Sequence, residues 1–399
     1  MTRKTQIVTR ALAAALAATK LIARAGDLNP PAGPVAPTMK TLTEVEPRIA
    51  INATNTPGDS NSLFKITQPG SYYLTGNITG VVGKHGIEIV ASGVTLDLGG
   101  FDLLGAPGSL DGVSVTTAAI QSNIAVVNGS IRVWGDKGID LATFGAINCR
   151  VEGVFAAFNA GNGISTGADS TVTNCSAYQN SGNGISGGNG GTVSNCSAAF
   201  NGAAGISTGE GCAVSKCSAS HNSGNGIVPG IGGTVSNCSA SQNGGIGINA
   251  GFGCTVTNCS AYLNAADGIS TTAGCMVADC TARFNTLDGI RCFSDCVIRG
   301  NTCALNGSGS DGAGIHATSS NNRIEGNNCT SADRGIDVDA AGNIIIRNTC
   351  ADNTIDWVIA ANNVVGPIID RRTPASAAVS GFSAPSSLGS TDANANFSY

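Results

Sequence analysis

The stretch GNGISGGNGGTVSNCSAAFN, residues 182–201, returns 42 residues later as GNGIVPGIGGTVSNCSASQN, residues 224–243. Its Gly-Ile pair recurs every 21 residues from Gly163 to Gly289, and flanking pairs continue the series at spacings of 21 to 26 residues. Such a strict period indicates structural repeats that stack on one another in register. The pairs, one of them Gly-Val, begin at Gly86, Gly112, Gly138, Gly163, Gly184, Gly205, Gly226, Gly247, Gly268, Gly289, Gly314 and Gly335.

A period of 21 residues is too short for paired helices and suits a coil of short strands. Segments such as Thr-Val-Ser and Gly-Ile-Ser are β-branched and alternating, and glycine and asparagine separate them where a corner needs a left-handed backbone. We expect the branched residue of each segment to point inward and its hydroxyl neighbours outward. The sequence therefore predicts an all-β fold, a single-stranded parallel β-helix of about twelve 21–26-residue turns.

The repeats, written as Gly-Asn-Gly-Ile-Ser followed by Thr-Val-Ser-Asn-Cys-Ser-Ala, resemble those of the right-handed parallel β-helix repeat proteins of the pectate-lyase-like superfamily. The resemblance covers roughly residues 80–365 and implies a right-handed solenoid with carbohydrate as the leading ligand class. That superfamily includes polysaccharide lyases, glycoside hydrolases, epimerases, phage tailspikes and passive surface proteins, so the resemblance does not select one activity. The Asn-Thr-Asp, Asp-Asp and Gly-His-Gly motifs of the hydrolases are missing, which argues against a polygalacturonase mechanism.

Composition excludes several classes of function. Only 12% of the 399 residues are charged and the net charge is −5, which gives no electrostatic reason to expect a nucleic-acid partner. Beyond the N-terminus no apolar run approaches the ~20 residues needed to cross a bilayer, so no membrane insertion is expected. The 15 cysteines form no CxxC pair and the three histidines stand far apart, unlike the usual zinc and thioredoxin motifs. We expect a monomer or a lateral homo-oligomer, because a uniform rod can associate side by side.

Four regions follow along the chain. Basic residues, an apolar run and Ala23-Arg24-Ala25 predict a signal peptide over residues 1–25, and hence a secreted, periplasmic or cell-surface protein. Residues 26–62 are predicted to be a Pro-rich linker and N-terminal extension. Residues 63–366 are predicted to form the β-helix, including an N-terminal cap from Leu63 to Val82. Residues 367–399, rich in Ala, Ser and Asn, are predicted to be a flexible tail.

Most of the cysteines fall into columns that keep the 21-residue phase. Stacked cysteines on adjacent turns lie ~4.8 Å apart at Cα, but their parallel Cβ vectors fit the disulfide dihedral poorly. We therefore predict stacked small apolar side chains, with a few inter-turn disulfides as the alternative in an exported protein. A metal–thiolate array is a further alternative, which the lack of histidine partners and short loops disfavours. One column holds Cys175, Cys196, Cys217, Cys238, Cys259 and Cys280, and a second holds Cys149, Cys212, Cys254, Cys275 and Cys296.

Function on a β-helix is expected on the outward columns of consecutive turns. The residue after each Gly-Ile pair is mostly Ser in the middle of the chain, whereas Arg291, His316 and Asp337 occupy three consecutive turns near its C-terminal end. If this group is catalytic, Arg291 neutralises a uronate carboxylate, and His316, oriented by Asp337, abstracts the α proton. Neighbouring residues predicted to bind substrate are Asp311, Arg334 and Asp339.

Asp267 and Asp288 precede two consecutive Gly-Ile pairs and are predicted to bind Ca²⁺. Two carboxylates ~4.8 Å apart repel each other unless a cation lies between them, and Ca²⁺ prefers oxygen ligands. The alternative interpretation is that the charged residues form a solvated column of ion pairs that blocks end-to-end association. His85 and His221 are predicted to face solvent without a role.

The sequence thus predicts an exported protein that binds or acts on extracellular polysaccharide, by β-elimination of a polyuronate if it is an enzyme. The alternative is a non-catalytic surface solenoid, either adhesin-like or ice-binding. Outward threonines such as Thr171, Thr192, Thr234 and Thr255 form columns of the kind found on ice-binding faces, although threonine also favours strands for its own propensity.

Overall fold

Each repeat folds into one turn of a solenoid, built from three short strands with a corner after each. The computed structural model describes residues 46–117, 119–307, 311–370, 379–381 and 391–399, and the solenoid belongs to the compact unit Arg48–Tyr399. The described residues contain strands, turns and bends but no α-helix. The strands pair in parallel with their equivalents in the next turn, without a shift of register. The predicted signal peptide and residues 26–45 of the predicted linker lie outside the described residues.

The strands form three strips that run along the solenoid. Strip 1 comprises Ser62–Ile66, His85–Ile89, Val113–Val115, Ile139–Asp140, Ile164–Ser165, Ile185–Gly187, Ile206–Thr208, Ile227–Val228, Ile248–Ala250, Ile269–Thr271, Ile290–Cys292, Ala313–Ala317, Arg334–Val338, Ile355–Ile359 and Val379–Gly381. Strip 2 comprises Ile49–Ala50, Gly70–Tyr73, Val94–Asp97, Thr171–Thr173, Thr192–Ser194, Ala213–Ser215, Thr234–Ser236, Thr255–Thr257, Met276–Ala278, Val297–Arg299, Arg323–Glu325, Ile344–Ile346 and Val364–Val365. Strip 3 comprises Ile78–Thr79, Asp102–Leu104, Ser176–Tyr178, Ser197–Ala199, Ser218–Ser220, Ser239–Ser241, Ser260–Tyr262, Thr281–Arg283, Thr302–Ala304, Asn328–Thr330, Thr349–Ala351, Ile368–Asp370 and Asn396–Ser398. Two long strands, Ala125–Arg132 and Arg150–Ala157, belong to both strips 2 and 3.

The predicted parallel β-helix is confirmed, with more turns than the repeat pattern indicates. Strip 1 has fifteen strands, and twelve of them carry the Gly-Ile or Gly-Val pairs. The other three are Ser62–Ile66, Ile355–Ile359 and Val379–Gly381. Their backbones pair with the repeats although their sequences do not match them. Parallel pairing depends on the backbone, so a turn at the end of the solenoid can stack without the repeat signature.

The core is a stack of inward columns, one from each strip. Ile185 in strip 1, Val193 in strip 2 and Ala198 in strip 3 are buried, and each pairs with an identical residue in neighbouring turns. Burying an isoleucine or valine side chain contributes about 1.5–3 kcal/mol. The apolar stabilisation therefore repeats from turn to turn along the solenoid.

Buried asparagines form a ladder at the corner between strips 3 and 1. Asn201 is fully buried, and its Nδ2 donates to Oδ1 of Asn222 at 2.9 Å and to the carbonyl of Ala177 at 3.2 Å. The backbone N–H of Asn201 donates to the same Oδ1 at 3.0 Å. The left-handed backbone belongs to the preceding residue, Phe200, with φ of 58°. These asparagines thus satisfy buried polar groups inside the corner, which explains their 21-residue phase. The ladder holds Asn159, Asn180, Asn201, Asn222, Asn243, Asn264, Asn285 and Asn306.

The cysteine columns occupy the other two corners. All fifteen cysteines are buried free thiols, so the predicted stacking is confirmed and the disulfide alternative is not seen. The first column lies between strips 2 and 3 and continues into asparagine, because the backbone N–H of Cys280 donates to Oδ1 of Asn301 at 2.9 Å. The second column does the same through Cys296 and Asn322. Cysteine therefore takes the place of a ladder asparagine in the central turns.

The two ends of the solenoid differ from the predictions for them. Most of the segment predicted to be an N-terminal cap forms a complete turn, and Ile49–Ala50, inside the predicted linker, pairs with Tyr72 and Tyr73. At the other end, Asn396–Ser398 pairs with Thr349–Ala351 although it lies in the predicted flexible tail. Nε1 of the buried Trp357 donates to Oγ of Ser398 at 2.8 Å. Residues 391–399 therefore belong to the last turns, because their backbone continues the sheet.

Candidate functional site

The outward column of strip 1 holds mostly serine in the middle of the solenoid and charged residues towards its C-terminal end. Strand pairing places Arg291 beside His316 and His316 beside Asp337, as the sequence predicts. Asp339 lies on the same face, two residues beyond Asp337. Five side chains are connected here by successive contacts and are called the His316 cluster: Asp288, His316, Arg334, Asp337 and Asp339.

His316 is held by two carboxylates, one from the preceding turn and one from the following turn. Its Nδ1 lies 2.9 Å from Oδ2 of Asp288, and its Nε2 lies 3.0 Å from Oδ2 of Asp339. Asp337, predicted to orient the ring, is farther away at 4.0 Å from Nε2. The imidazole is therefore fixed by Asp288 and Asp339, and Asp337 is a neighbouring charge.

Electrostatics favour the protonated form of His316. Burial alone would disfavour the imidazolium, since the side chain is only 19% exposed. The hydrogen bond and the charge of Asp288, together with Asp339 and Asp337, outweigh this and raise the pKa of His316 to about 9. The side chain is thus mostly cationic at neutral pH.

Asp288 connects His316 to the preceding turn. Its Oδ1 accepts the backbone N–H of Ala313 at 2.8 Å, and its own backbone N–H donates to Oδ1 of Asp267 at 3.2 Å. Burial and the nearby charge of Asp288 raise the pKa of Asp267. The turn that carries Ala313 is longer than 21 residues, and its residues 308–310 lie outside the described residues. The contact of Asp288 with Ala313 repeats the one that Asp267 makes with Asp288 one turn earlier.

Arg334 neutralises Asp337 and also reaches Asp311. Its Nη1 donates to Oδ2 of Asp337, and its Nη2 lies 2.6 Å from Oδ1 of Asp311. Burial raises the pKa of Asp337, because the side chain is only 2% exposed, while the guanidinium opposes that rise. Oδ1 of Asp337 is buried and has no hydrogen-bond partner among the described residues. Arg334 therefore bridges Asp337 and Asp311, and the second oxygen of Asp337 is buried without a hydrogen-bond partner among the described residues.

The groups that converge best for a cation differ from the predicted pair. Nε2 of His316 and carboxylate oxygens of Asp337 and Asp339 lie within 4.8 Å of one another. Both oxygens of Asp288, by contrast, already accept from Ala313 and His316. Two carboxylates suit a hard cation such as Ca²⁺, and the unpartnered oxygen of Asp337 is consistent with one. An imidazole ligand would require His316 to lose its proton.

Arg291 faces a cleft beside the His316 cluster. The cleft has a volume of about 680 Å³, and among the residues that line it are Ile231, Phe252 and Phe293, each more than half exposed. Arg291 is exposed and forms no salt bridge with any described residue, unlike Arg334. Cationic and aromatic groups therefore meet on one wall. This cleft is not among the features predicted from the sequence, although Ile231 and Phe252 are apolar residues 21 positions apart in glycine-rich corners.

A family model described as a right-handed β-helix region matches residues 244–369. These residues include the His316 cluster, and their strands stack in parallel in all three strips. The chain is a right-handed parallel β-helix repeat protein. No curated protein sequence matches this β-helix.

Solved structures similar to this β-helix share little sequence with it. The A-modules of two mannuronan C-5 epimerases from Azotobacter vinelandii are each 15% identical. AlgE4 covers 72% of this chain and 88% of its own, with a TM-score of 0.46, and AlgE6 covers 83% and 91%, with a TM-score of 0.47. The tailspike protein of E. coli bacteriophage HK620, in complex with a pentasaccharide, is 12% identical over 89% of this chain and 78% of its own, with a TM-score of 0.49. Likenesses this distant concern the fold alone.

A second polar cluster lies at the N-terminal end of strip 1 of the β-helix. Lys65 pairs with Glu88 at 3.1 Å, and Lys137 pairs with Asp140 at 2.7 Å. Nδ1 of His85, whose side chain is 15% exposed, accepts the backbone N–H of Asp111 at 3.2 Å. His85 is therefore packed into this cluster, contrary to the expectation that it faces solvent freely.

Among the described residues, no helix is long and apolar enough to cross a membrane.

Proposed function

We propose that this β-helix binds an acidic polysaccharide across strip 1 and acts on it by β-elimination at the His316 cluster. One observation carries the proposal: Arg291 forms no salt bridge with any described residue and lines an aromatic cleft one turn from His316, with Asp267 as a more distant negative charge. Guanidinium groups bind carboxylates strongly, and aromatic walls suit the apolar faces of sugars. A uronate residue has both a carboxylate for the guanidinium and an apolar ring face for the aromatic wall.

The residues divide the work as follows. Arg291 binds the uronate carboxylate and stabilises the negative charge that develops on it as the α proton leaves. The neutral form of His316 takes that proton, the bond to the leaving sugar oxygen breaks, and that oxygen takes a proton from water, which leaves an unsaturated uronate and a new sugar hydroxyl. Asp288 orients the imidazole through Nδ1, whereas Asp339, whose side chain is half exposed, must release Nε2 before this nitrogen takes the proton. The nearby carboxylates then stabilise the imidazolium that forms. Because the pKa of His316 is about 9, the base is mainly available in alkaline solution.

A calcium ion, if one takes part, would be held by Asp337 and Asp339 in preference to Asp267 and Asp288. The buried Oδ1 of Asp337 without a partner supports this choice. Bound there, the ion would supply a second positive charge for the acidic substrate. Calcium titration of the protein and of its Asp337→Asn variant, followed by calorimetry, tests the assignment, and equal affinities would reject it.

The test of the reaction is an absorbance assay for unsaturated uronates on pectate, alginate and glycosaminoglycans, with and without Ca²⁺. We expect a signal on one polymer that is lost in His316→Ala and falls at least tenfold in Arg291→Ala. His221→Ala is the matched control, because His221 lies at the corner between strips 3 and 1, far along the chain from the cluster. Full activity of His316→Ala would reject the mechanism.

Binding without chemistry is the second candidate, and the raised pKa of His316 favours it at neutral pH. A protonated imidazole cannot act as a base but can donate to a bound sugar. Retention of the acidic polymer by the wild type, its loss in Arg291→Ala and silence in the absorbance assay would establish a non-catalytic solenoid.

Export remains part of the proposal and depends on the sequence of residues 1–25 alone. Expression of the full chain in a bacterial host, followed by mass measurement of the extracytoplasmic protein, tests it. A mass corresponding to cleavage after Ala25 supports the proposal, and an uncleaved chain in the cytoplasm rejects it.

A further inference from the structure

Six cysteines stand on six consecutive turns at the corner between strips 2 and 3. The strands on both sides of this corner pair in register, for example Val193 with Val214 and Ala198 with Ala219, so the cysteines repeat at the strand spacing of about 4.8 Å. All are free, and none is more than 3% exposed. This thiol ladder consists of Cys175, Cys196, Cys217, Cys238, Cys259 and Cys280.

Contacts hold each sulfur in an equivalent place in its turn. Sγ of Cys217 donates to the carbonyl of Ser215 at 3.2 Å, and Sγ of Cys238 donates to the carbonyl of Ser236 at 3.2 Å. The backbone N–H of Cys217 donates to Sγ of Cys238 at 3.4 Å. Each sulfur thus lies against the backbone of the preceding turn, and the sulfurs form a line along the solenoid.

A groove runs along the outside of the same corner. It has a volume of about 820 Å³, and Cys175, Cys196, Cys217, Cys238 and Cys259 are among the residues that line it, with asparagines and serines as most of the others. The thiols themselves are buried, so a cation in the groove must pass the backbone of the corner to reach the sulfurs.

The spacing decides which bond the sulfurs can make with one another. A disulfide needs sulfurs about 2.05 Å apart and a perpendicular dihedral, which parallel side chains on stacked turns do not provide. A metal–thiolate bond is about 2.3 Å long, so a linear sulfur–metal–sulfur bridge spans about 4.6 Å. That span matches the repeat of the ladder within a few tenths of an ångström.

We propose that the thiol ladder binds soft monovalent cations such as Ag⁺ and Cu⁺, each held linearly between the thiolates of two adjacent turns. Thiolate is the ligand that such cations prefer. Every bridge replaces two S–H bonds by two sulfur–metal bonds and releases two protons, and the metal keeps its oxidation state. The bridge carries one negative charge, and Lys216 lies at the same corner, directly before Cys217.

Two triple variants with the same number of cysteines test the proposal. Cys196, Cys238 and Cys280→Ser leaves no adjacent pair in the ladder, whereas Cys175, Cys196 and Cys217→Ser leaves three cysteines in a row. Serine is a suitable replacement because Ser170 already occupies such a position in the other cysteine column, where its Oγ accepts the N–H of Cys149 at 3.1 Å. Thermal melting of both variants checks that they fold.

The reduced proteins are titrated with Ag⁺, and bound silver and released protons are counted after desalting. Six ladder thiols can form about three bridges, so the alternating variant should bind about three ions fewer than the wild type. The contiguous variant should keep about one of those three. Equal silver binding by the two triple variants would overturn the proposal, as would a wild type whose bound silver does not release about two protons per ion. Neither result concerns the polysaccharide site on strip 1.

Discussion

His316 and Asp288 are 28 residues apart in the chain and 2.9 Å apart in space, between Nδ1 and Oδ2. Asp288 precedes one Gly-Ile pair and His316 follows the next, so the contact joins two neighbouring turns across strip 1. The same carboxylate also accepts the N–H of Ala313. The contact therefore ties the protonation of His316 to the packing of these turns.

Replacing Asp288 by Asn should lower the pKa of His316 from about 9 towards its ordinary value near 6.5. The reason is that the substitution removes the negative charge nearest to the imidazolium while the burial that disfavours the charged form remains. Proton NMR titration of the imidazole signals measures the change, and the His221 signal in the same spectra is an internal reference. An unchanged His316 titration would contradict this account.

The rate of β-elimination, if the proposed reaction occurs, should rise with pH and level off above about 9. The base must be neutral, and the pKa of His316 is raised to about 9. In Asp288→Asn the rising limb should move to lower pH. A rate that instead falls as pH rises through 9 would assign His316 the role of an acid.

Stability should decrease between pH 6.5 and 9 through His316. Its pKa is higher in the folded than in the unfolded chain, so its stabilising effect is fully present below about 6.5 and is lost as pH rises through about 9. Urea unfolding at both pH values should show a larger loss for the wild type than for His316→Gln. Other groups that titrate in this range are common to both proteins and cancel in the comparison.

Asn222→Ala should destabilise the β-helix by about 2–4 kcal/mol, because buried polar groups that lose a partner cost about 1–3 kcal/mol each. Oδ1 of Asn222 accepts from both the backbone N–H and Nδ2 of Asn201, and its Nδ2 donates to Ala198. Chemical denaturation measures the loss. Ser218→Ala, at an exposed position in strip 3, is the control and should change stability by less than about 0.5 kcal/mol.

Removing residues 391–399 should lower the melting temperature and promote self-association. The deletion removes Ser398 from the indole of Trp357 and uncovers the paired edge of Thr349–Ala351. Exposed strand edges invite pairing with another chain. Light scattering and calorimetry provide the measurement, and deletion of the exposed Tyr399 alone is the control. A monomeric truncated protein with an unchanged melting temperature would show that these residues do not close the solenoid.

The regular part of the molecule follows from the sequence because every turn repeats the same local pattern. A period of 21 residues with inward Ile, Val and Ala permits only stacked parallel strands, and this alone places Arg291, His316 and Asp337 in one column. The two ends lack this repeat pattern, so the sequence does not predict the first turn or the pairing of Asn396–Ser398. The strands there form because their backbones pair with the exposed edge of the adjacent turn.

The sequence by itself determined the fold, the phase of the columns and the strip on which the charged residues meet, since stacking in register converts spacing along the chain into proximity. The tertiary structure decided which charges touch. Asp288 and Asp339 form hydrogen bonds with the imidazole of His316. Arg334 forms an ion pair with Asp337. Arg291 lines the cleft that contains Phe252 and Phe293. These contacts depend on the directions of the side chains and on the conformations of the corners. The repeat pattern of the sequence does not specify either.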